Sequence, residues 1–176
     1  AQISPDELDL LLPCLQAHVG SYQPGEMILS AGQSVQEIGI VLEGTIQVSL
    51  NDAFGNCCIL SKITVGDIFA EAFCGAKEEK ISVDVDAVTA CKILFIQYAH
   101  ILAPCSSACN FHARLIQNLV YLLAQKNVLL NTKIRHLSKR TTREKLLSYL
   151  SECAQSAGSR SFTIPFDRQQ LADYLC

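Results

Sequence analysis

The nine cysteines are the residues of this sequence with the widest range of possible chemistry. Their number is odd and the chain of 176 residues is larger than a disulfide-stapled mini-domain, so a disulfide framework is not expected. No pair has CxxC spacing, but Cys57 and Cys58 are adjacent, and Cys105 and Cys109 would stand one turn apart on a helix. The pattern predicts reduced, mostly buried thiols, with Cys105 and Cys109 as the candidate thiol switch.

The histidines are placed wrongly for a metalloenzyme. A metal-dependent enzyme built on a β-barrel needs two or three His and a carboxylate that converge inside the barrel. Segment 22–97, which carries the strand pattern, contains no His; the four histidines are His18, His100, His112 and His136. We therefore expect no enzymatic activity, and a cupin-type metalloenzyme is the weakest of the alternatives.

Charge divides the chain into an acidic and a basic part. Residues 1–104 hold four Lys or Arg against thirteen Asp or Glu, and residues 105–176 hold ten against four. A polyanionic partner would therefore meet the second part. No run is long enough to span a membrane and no signal segment opens the chain, so we expect a cytoplasmic protein with no membrane partner.

Residues 111–137 contain neither Gly nor Pro and are predicted to form one long helix. Seven of its residues repeat with steps of four and three, the spacing of a coiled-coil seam: Ile116, Val120, Leu123, Asn127, Leu130, Ile134 and Leu137. Val120, Asn127 and Ile134 at a positions favour a parallel pair of helices in one register. We expect the seam to bind a second copy of the chain; the alternative is a core helix within one globular domain.

A second apolar row lies beside the seam and is predicted to pack on the chain's own domain: Phe111, Leu115, Leu119, Leu122 and Leu129. A helix with two apolar stripes must cover both of them. The long helix would therefore connect a domain on one side with a partner subunit on the other.

The elements before this helix are predicted from caps, alternation and glycines. Ser4 as N-cap and Pro5 at the first position predict an N-terminal helix that Pro13 ends or kinks. Residues 22–97 alternate like short strands, and turn glycines recur about every ten residues, at Gly25, Gly32, Gly44, Gly55 and Gly66. This texture is typical of an all-β barrel or jelly roll.

Three further elements are predicted after residue 137. Thr141 or Thr142 would cap a helix that Gly158 ends. Residues 161–166 alternate like a short strand, and Asp167 would cap a final helix.

These motifs, in this order, resemble the Crp/Fnr family of bacterial transcription regulators. The residues that carry the resemblance are YxPGExIxxxG at 22–32, LEGxIxV at 42–48, GDxFAE at 66–71 and LxxYL…TIPFDRQQLADYL at 146–175. The resemblance implies an α+β fold: an effector-sensing jelly roll over 1–105 with a short N-terminal helix, a dimerisation helix over 106–137, and part of a winged helix-turn-helix over 138–176. The recognition helix and the wing are expected after Cys176.

The resemblance also implies partners. They are a second copy of the chain, a pseudo-palindromic double-stranded DNA operator, RNA polymerase and a small-molecule effector. The candidate DNA contacts are Lys139, Arg140, Arg143, Arg168 and Gln169. A nucleotide-binding regulatory module of a signalling protein, such as a kinase or channel, is the alternative, and the basic C-terminal part argues against it.

The effector pocket is where the sequence departs from the family. The resemblance assigns this pocket to Phe69, Ala70, Glu71, Ile81, Ser82, Leu130 and Asn131. The nucleotide-binding members have Gly where this chain has Ala70 and Arg where it has Ile81. A buried phosphodiester needs a fixed cation or several amide donors, and although Lys77 and Lys80 lie nearby, Lys offers no bidentate fork. Cyclic AMP is therefore not the expected effector.

Other effectors known in the family leave different signatures. An iron–sulfur cluster needs closely spaced N-terminal cysteines, and that region offers Cys14 alone. Haem needs axial ligands such as His or Cys, for which Cys74, His100 and His112 are candidates. A haem sensor, a thiol switch, a different small ligand that is apolar or anionic, and a domain without any ligand remain open, so the cofactor is left unassigned.

Overall fold

The computed structural model describes residues 4–76, 79–103 and 110–176, which form an α+β fold. The helices within these residues are α1 (Pro5–Cys14), α2 (Glu71–Ala76), α3 (Tyr98–Leu102), α4 (Asn110–Leu137), α5 (Thr142–Ala157) and α6 (Arg168–Leu175). The strands are β1 (His18–Tyr22), β2 (Met27–Leu29), β3 (Glu37–Glu43), β4 (Ile46–Asn51), β5 (Cys57–Ile63), β6 (Ile68–Phe69), β7 (Asp84–Ala87) and β8 (Cys91–Gln97).

The strands form the predicted jelly roll. Two four-stranded sheets have the orders β1-β8-β3-β6 and β2-β7-β4-β5, and neighbouring strands are antiparallel. β5 is an edge strand of the second sheet, so one of its sides is available to elements outside the barrel.

The turn glycines have the backbone that the sequence predicts, because all five adopt positive φ. The need for glycine is greatest at Gly44, between β3 and β4. Its φ is +87°, and a Cβ would lie 2.3 Å from the carbonyl oxygen of Ala90. The turn between β3 and β4 therefore packs closely against the connection between β7 and β8.

Two apolar clusters fill the fold. One lies between the sheets and includes Val41, Ile46 and Ile93, none of them exposed to solvent. The other lies where helices cover the outside of the first sheet; Leu11, Ile38 and Ile101 are among its buried members. Burying each such side chain contributes about 1.5–3 kcal/mol before the entropy of ordering is subtracted.

The helix ends follow their predicted caps. Ser4 and Thr141 both form capping boxes, with Glu7 and Glu144 respectively. Asp167 caps α6, and Gly158 ends α5 with a φ of +60°. α1 ends at Cys14, one residue after Pro13.

The strand predicted over residues 161–166 is wrong. These residues have no regular secondary structure, because a strand needs a ladder partner and none of the described strands pairs with them.

The cysteine prediction is also wrong in part. Cys58 and Cys176 form a disulfide, and Cys14 is exposed, whereas Cys74 and Cys91 are buried thiols. The proposed switch pair, Cys105 and Cys109, lies outside the described residues. Within the described part of the chain, no helix combines the length and apolar character needed to cross a membrane.

Candidate effector pocket and helical interfaces

Glu71 is the best placed of the predicted pocket residues. It begins α2 directly after β6, is 9% exposed, and accepts a hydrogen bond from the ammonium of Lys126 at 2.7 Å. The preceding residue, Ala70, adopts a φ of +65°, a left-handed conformation that favours glycine. The pocket carboxylate is therefore already neutralised by a cation from α4.

Ile81 contributes no polar group to this pocket. Its side chain is 3% exposed and belongs to the cluster between the sheets, together with that of Phe69. Its backbone N–H donates to Gln33 at 2.9 Å and its carbonyl accepts from Gly32 at 2.8 Å. Ser82, the next residue, is exposed.

Lys126 was missed by the reasoning from sequence. Leu130 and Asn131 were assigned to the pocket, but both are exposed and lie one turn further along α4. The Asn131 amide donates to the Asn127 side-chain oxygen at 2.9 Å. A signal did exist, because Lys126 is the one charged residue between Arg114 and Lys133 in the sequence.

An open groove of about 380 Å³ lies beside the Glu71–Lys126 pair, between the start of β6 and α4. Its lining is Asp67, Ile68, Leu122, Gln125, Lys126, Val128 and Leu129. Lys126 therefore contacts the buried carboxylate and also borders an accessible cavity.

The seam of α4 is largely uncovered. Val120, Leu123, Leu130 and Ile134 are 59%, 40%, 58% and 61% exposed. Two of the predicted seam residues differ: Ile116 packs on the helix-covered cluster of the barrel, and Leu137 is half-buried. The exposed apolar stripe therefore begins at Val120 and includes Asn127.

The second row of α4 packs on the barrel for part of its length, as predicted. Leu115, Leu119 and Leu122 contact the helix-covered cluster. Leu129 does not, because it is 68% exposed on the open groove; the side chain of Phe111 lies outside the described part. The apolar row of α4 thus packs on the barrel through the first half of the helix.

A model of the cyclic nucleotide-binding domain matches residues 19–107, half of the chain. The chain belongs to the cyclic nucleotide-binding domain family. No curated protein sequence gives a match.

The structure is similar to those of CRP/FNR-family transcription regulators. The c-di-GMP-responsive global regulator CLP of Xanthomonas campestris is 14% identical, with a TM-score of 0.73 over 94% of this chain and 83% of CLP. A CooA mutant of Carboxydothermus hydrogenoformans is 16% identical, with a TM-score of 0.71 over 93% and 71%. The CRP/FNR regulator TTHA1359 of Thermus thermophilus is 19% identical, with a TM-score of 0.59 over 78% and 66%. These likenesses define the fold, including the helices after the cyclic nucleotide-binding domain.

Two of the three candidate haem ligands, Cys74 and His100, have other partners in this cyclic nucleotide-binding domain. The Cys74 thiol is buried, points at the carbonyls of Val35 and Glu37, and has its pKa raised by burial and then by the charge of Glu71. A ring nitrogen of His100 lies 3.0 Å from the Cys14 carbonyl oxygen. The side chain of His112 lies outside the described part, and the described residues contain no group of three potential metal ligands.

The candidate DNA contacts are all exposed. Lys139 and Arg140 lie in the turn between α4 and α5, Arg143 is in the first turn of α5, and Arg168 begins α6. Gln169 donates from its side chain to the Asp173 carboxylate at 2.9 Å. The four cations are therefore available to solvent and to a polyanion.

α6 packs against β5 at the edge of the barrel. Lys133 of α4 is buried there, 7% exposed, and its ammonium donates to the carbonyls of Ile59 and Leu60. The same ammonium lies 4.1 Å from the centre of the Tyr174 ring. One side chain thus joins the long helix, the barrel edge and the C-terminal helix.

His136 lies at the junction between α4 and α5 and contacts α5. It is 2% exposed, with Nδ1 2.8 Å from the Ser148 hydroxyl and its ring edge-on to Tyr149. Burial lowers the pKa of His136 below 6.5, although the nearby Glu152 carboxylate opposes the shift. The folded protein therefore binds this proton less readily than the unfolded chain does.

We expect the free energy of unfolding to fall as the pH drops from 6.5 towards the lowered pKa of His136. A His136→Gln variant should lose this part of the pH dependence, which guanidinium titrations between pH 7 and 5 would measure. His18→Gln, at an exposed histidine, should keep it. If the free energy of unfolding has the same pH dependence in wild type and in His136→Gln, His136 is not the source of that dependence.

Proposed function

We propose that this cyclic nucleotide-binding domain protein is a cytoplasmic, homodimeric, DNA-binding transcription regulator whose effector is not cyclic AMP. The observation that carries the proposal is the apolar stripe of α4, which is exposed between the sensing barrel and the basic C-terminal segment. Four large aliphatic side chains along one helical face favour a twin helix as their cover.

The proposed mechanism couples the pocket to the helix pair. Lys126, which neutralises Glu71, lies one turn from the seam residues Leu123 and Leu130. A ligand in the groove that displaces Lys126 from Glu71 would change how α4 packs on the barrel. The helix pair would have two packings that differ in the spacing of the two DNA-binding segments. The ligand would shift the equilibrium between these packings by the difference between its affinities for them.

DNA binding is tested by selecting sequences from a pool of random duplexes and measuring affinity by fluorescence anisotropy. We expect a pseudo-palindromic site with half-sites about one helical turn apart. Inserting about five base pairs between the half-sites puts them on opposite faces of the duplex and should abolish tight binding. Selection of sequences without two-fold symmetry, or equal affinity for the spaced site, would refute the proposal.

The effector prediction is that cyclic AMP binds with a dissociation constant weaker than about 100 µM, because the described residues of the pocket offer no unpaired fixed cation for its phosphate. Ile81 is buried in the apolar cluster and Lys126 is paired with Glu71. Calorimetry should show this weak binding both for wild type and for Lys126→Met, since freeing the carboxylate supplies no phosphate partner. Micromolar binding by either protein would show that the pocket is misassigned.

A further inference from the structure

The disulfide joins two elements that are far apart in the sequence. Cys58 lies on the edge strand β5 and Cys176 directly follows α6, with 118 residues between them. Their Cα atoms are 5.8 Å apart, within the usual range for a disulfide. The bond therefore ties the C-terminal helix to the barrel.

Two lysines hold α6 and the segment before it at the same edge. The Lys62 ammonium donates to the Pro165 carbonyl at 2.6 Å and to the Gln170 side chain at 2.8 Å, and lies 5.0 Å from the centre of the Phe166 ring. Lys133 makes the second attachment through Tyr174, as described above. The disulfide thus joins two elements that are also in contact through Lys62 and Lys133.

The bond is accessible to exchange. Cys176 is exposed and Cys58 is half-buried on a sheet edge, so the bond lies at the surface of the described structure. Exposed disulfides are the ones that thiols reduce readily, and in reducing compartments such bonds are typically regulatory or catalytic.

We propose that Cys58 and Cys176 form a reversible redox latch that controls whether α6 stays docked on β5. In the closing reaction one protein thiolate attacks a low-molecular-weight disulfide and releases one thiolate. The second protein cysteine then displaces the other thiolate, so the two cysteines are oxidised as the small disulfide is reduced to two thiols. A dithiol reductant reverses the reaction. The latch concerns docking alone and does not depend on DNA binding.

Peptide mapping and amide hydrogen exchange by mass spectrometry test the latch, with the whole chain equilibrated in oxidised glutathione or in dithiothreitol. We expect a linked peptide pair containing Cys58 and Cys176 in the oxidised protein. Amides of α6 should exchange about tenfold more slowly than in the reduced protein, because opening the docked helix then requires a larger fluctuation.

Matched serine variants separate the latch from general effects of oxidation. Cys58→Ser and Cys176→Ser should each show the same α6 exchange in both conditions, whereas Cys57→Ser, at the neighbouring free thiol, should behave as wild type. Because two variants are used, the comparison is still possible if one of them does not fold. The proposal is overturned if wild type yields no Cys58–Cys176 peptide after oxidation, or if its α6 amides exchange equally in both conditions.

Discussion

Replacing Val120 and Leu123 together by Asp is expected to convert the proposed dimer into monomers. Both side chains lie on the exposed stripe of α4, 59% and 40% uncovered in the single chain. Burying each would contribute about 1.5–3 kcal/mol, and the double variant removes this contribution from both copies while placing four carboxylates in the seam. We expect the dissociation constant to rise at least about 1,000-fold. Sedimentation equilibrium measures it directly.

Tyr121→Asp with Gln125→Asp is the matched control for this experiment. It adds the same charge to the same turns of α4, at two exposed positions off the seam whose side chains bond to each other at 2.9 Å. This variant should remain dimeric. A Val120→Asp/Leu123→Asp protein that is still dimeric would place the interface elsewhere.

Replacing Asn127 in the same seam is expected to have the opposite effect on self-association. Asn127 stands at an a position between Val120 and Ile134 and is exposed in the single chain. A buried Asn pair fixes the register of two helices at a cost in stability. Asn127→Leu should therefore tighten self-association while allowing other registers or larger oligomers, which multi-angle light scattering would detect. Weaker association of this variant would contradict the parallel seam.

The features that local sequence determines were predicted well. Helix caps such as Thr141 and turn glycines such as Gly44 depend on residues within a few positions of each other, so their chemistry is visible in the sequence. Strand alternation and the helical stripe of α4 are likewise local periodicities. The stripe does not predict how far the packing on the barrel extends, since the barrel covers Leu122 but not Leu129.

Specific pairings between residues that are far apart in the sequence were missed. Lys126 meets Glu71 across 55 positions and Cys58 meets Cys176 across 118, and no local pattern pairs them. The error over residues 161–166 has the same origin, since alternation shows that a segment suits a sheet but not that a partner strand is present. Glu71 was identified from the family resemblance, whereas its partner Lys126 is seen only when α4 is packed on the barrel.

Lys133→Ala is expected to cause the largest loss of stability among single changes at the barrel edge. The Lys133 ammonium is the donor to the Ile59 and Leu60 carbonyls and lies against the Tyr174 ring, and burial lowers the pKa of Lys133 to about 8. Removing it leaves the buried Ile59 carbonyl and the partly buried Leu60 carbonyl without this donor and ends the cation–π contact, and relief of the ammonium's desolvation offsets part of these losses. We expect the free energy of unfolding to fall by about 2–3 kcal/mol.

Guanidinium titration of the oxidised protein measures this loss, with Lys139→Ala as control because Lys139 is exposed in the turn after α4. The control should change the free energy of unfolding by less than about 0.5 kcal/mol. Lys133→Met is the sharper variant, since it keeps the apolar stem and removes the donor alone. If Lys133→Met is as stable as wild type, the carbonyls of Ile59 and Leu60 do not depend on Lys133. The barrel edge would then hold α6 through Lys62 and the disulfide.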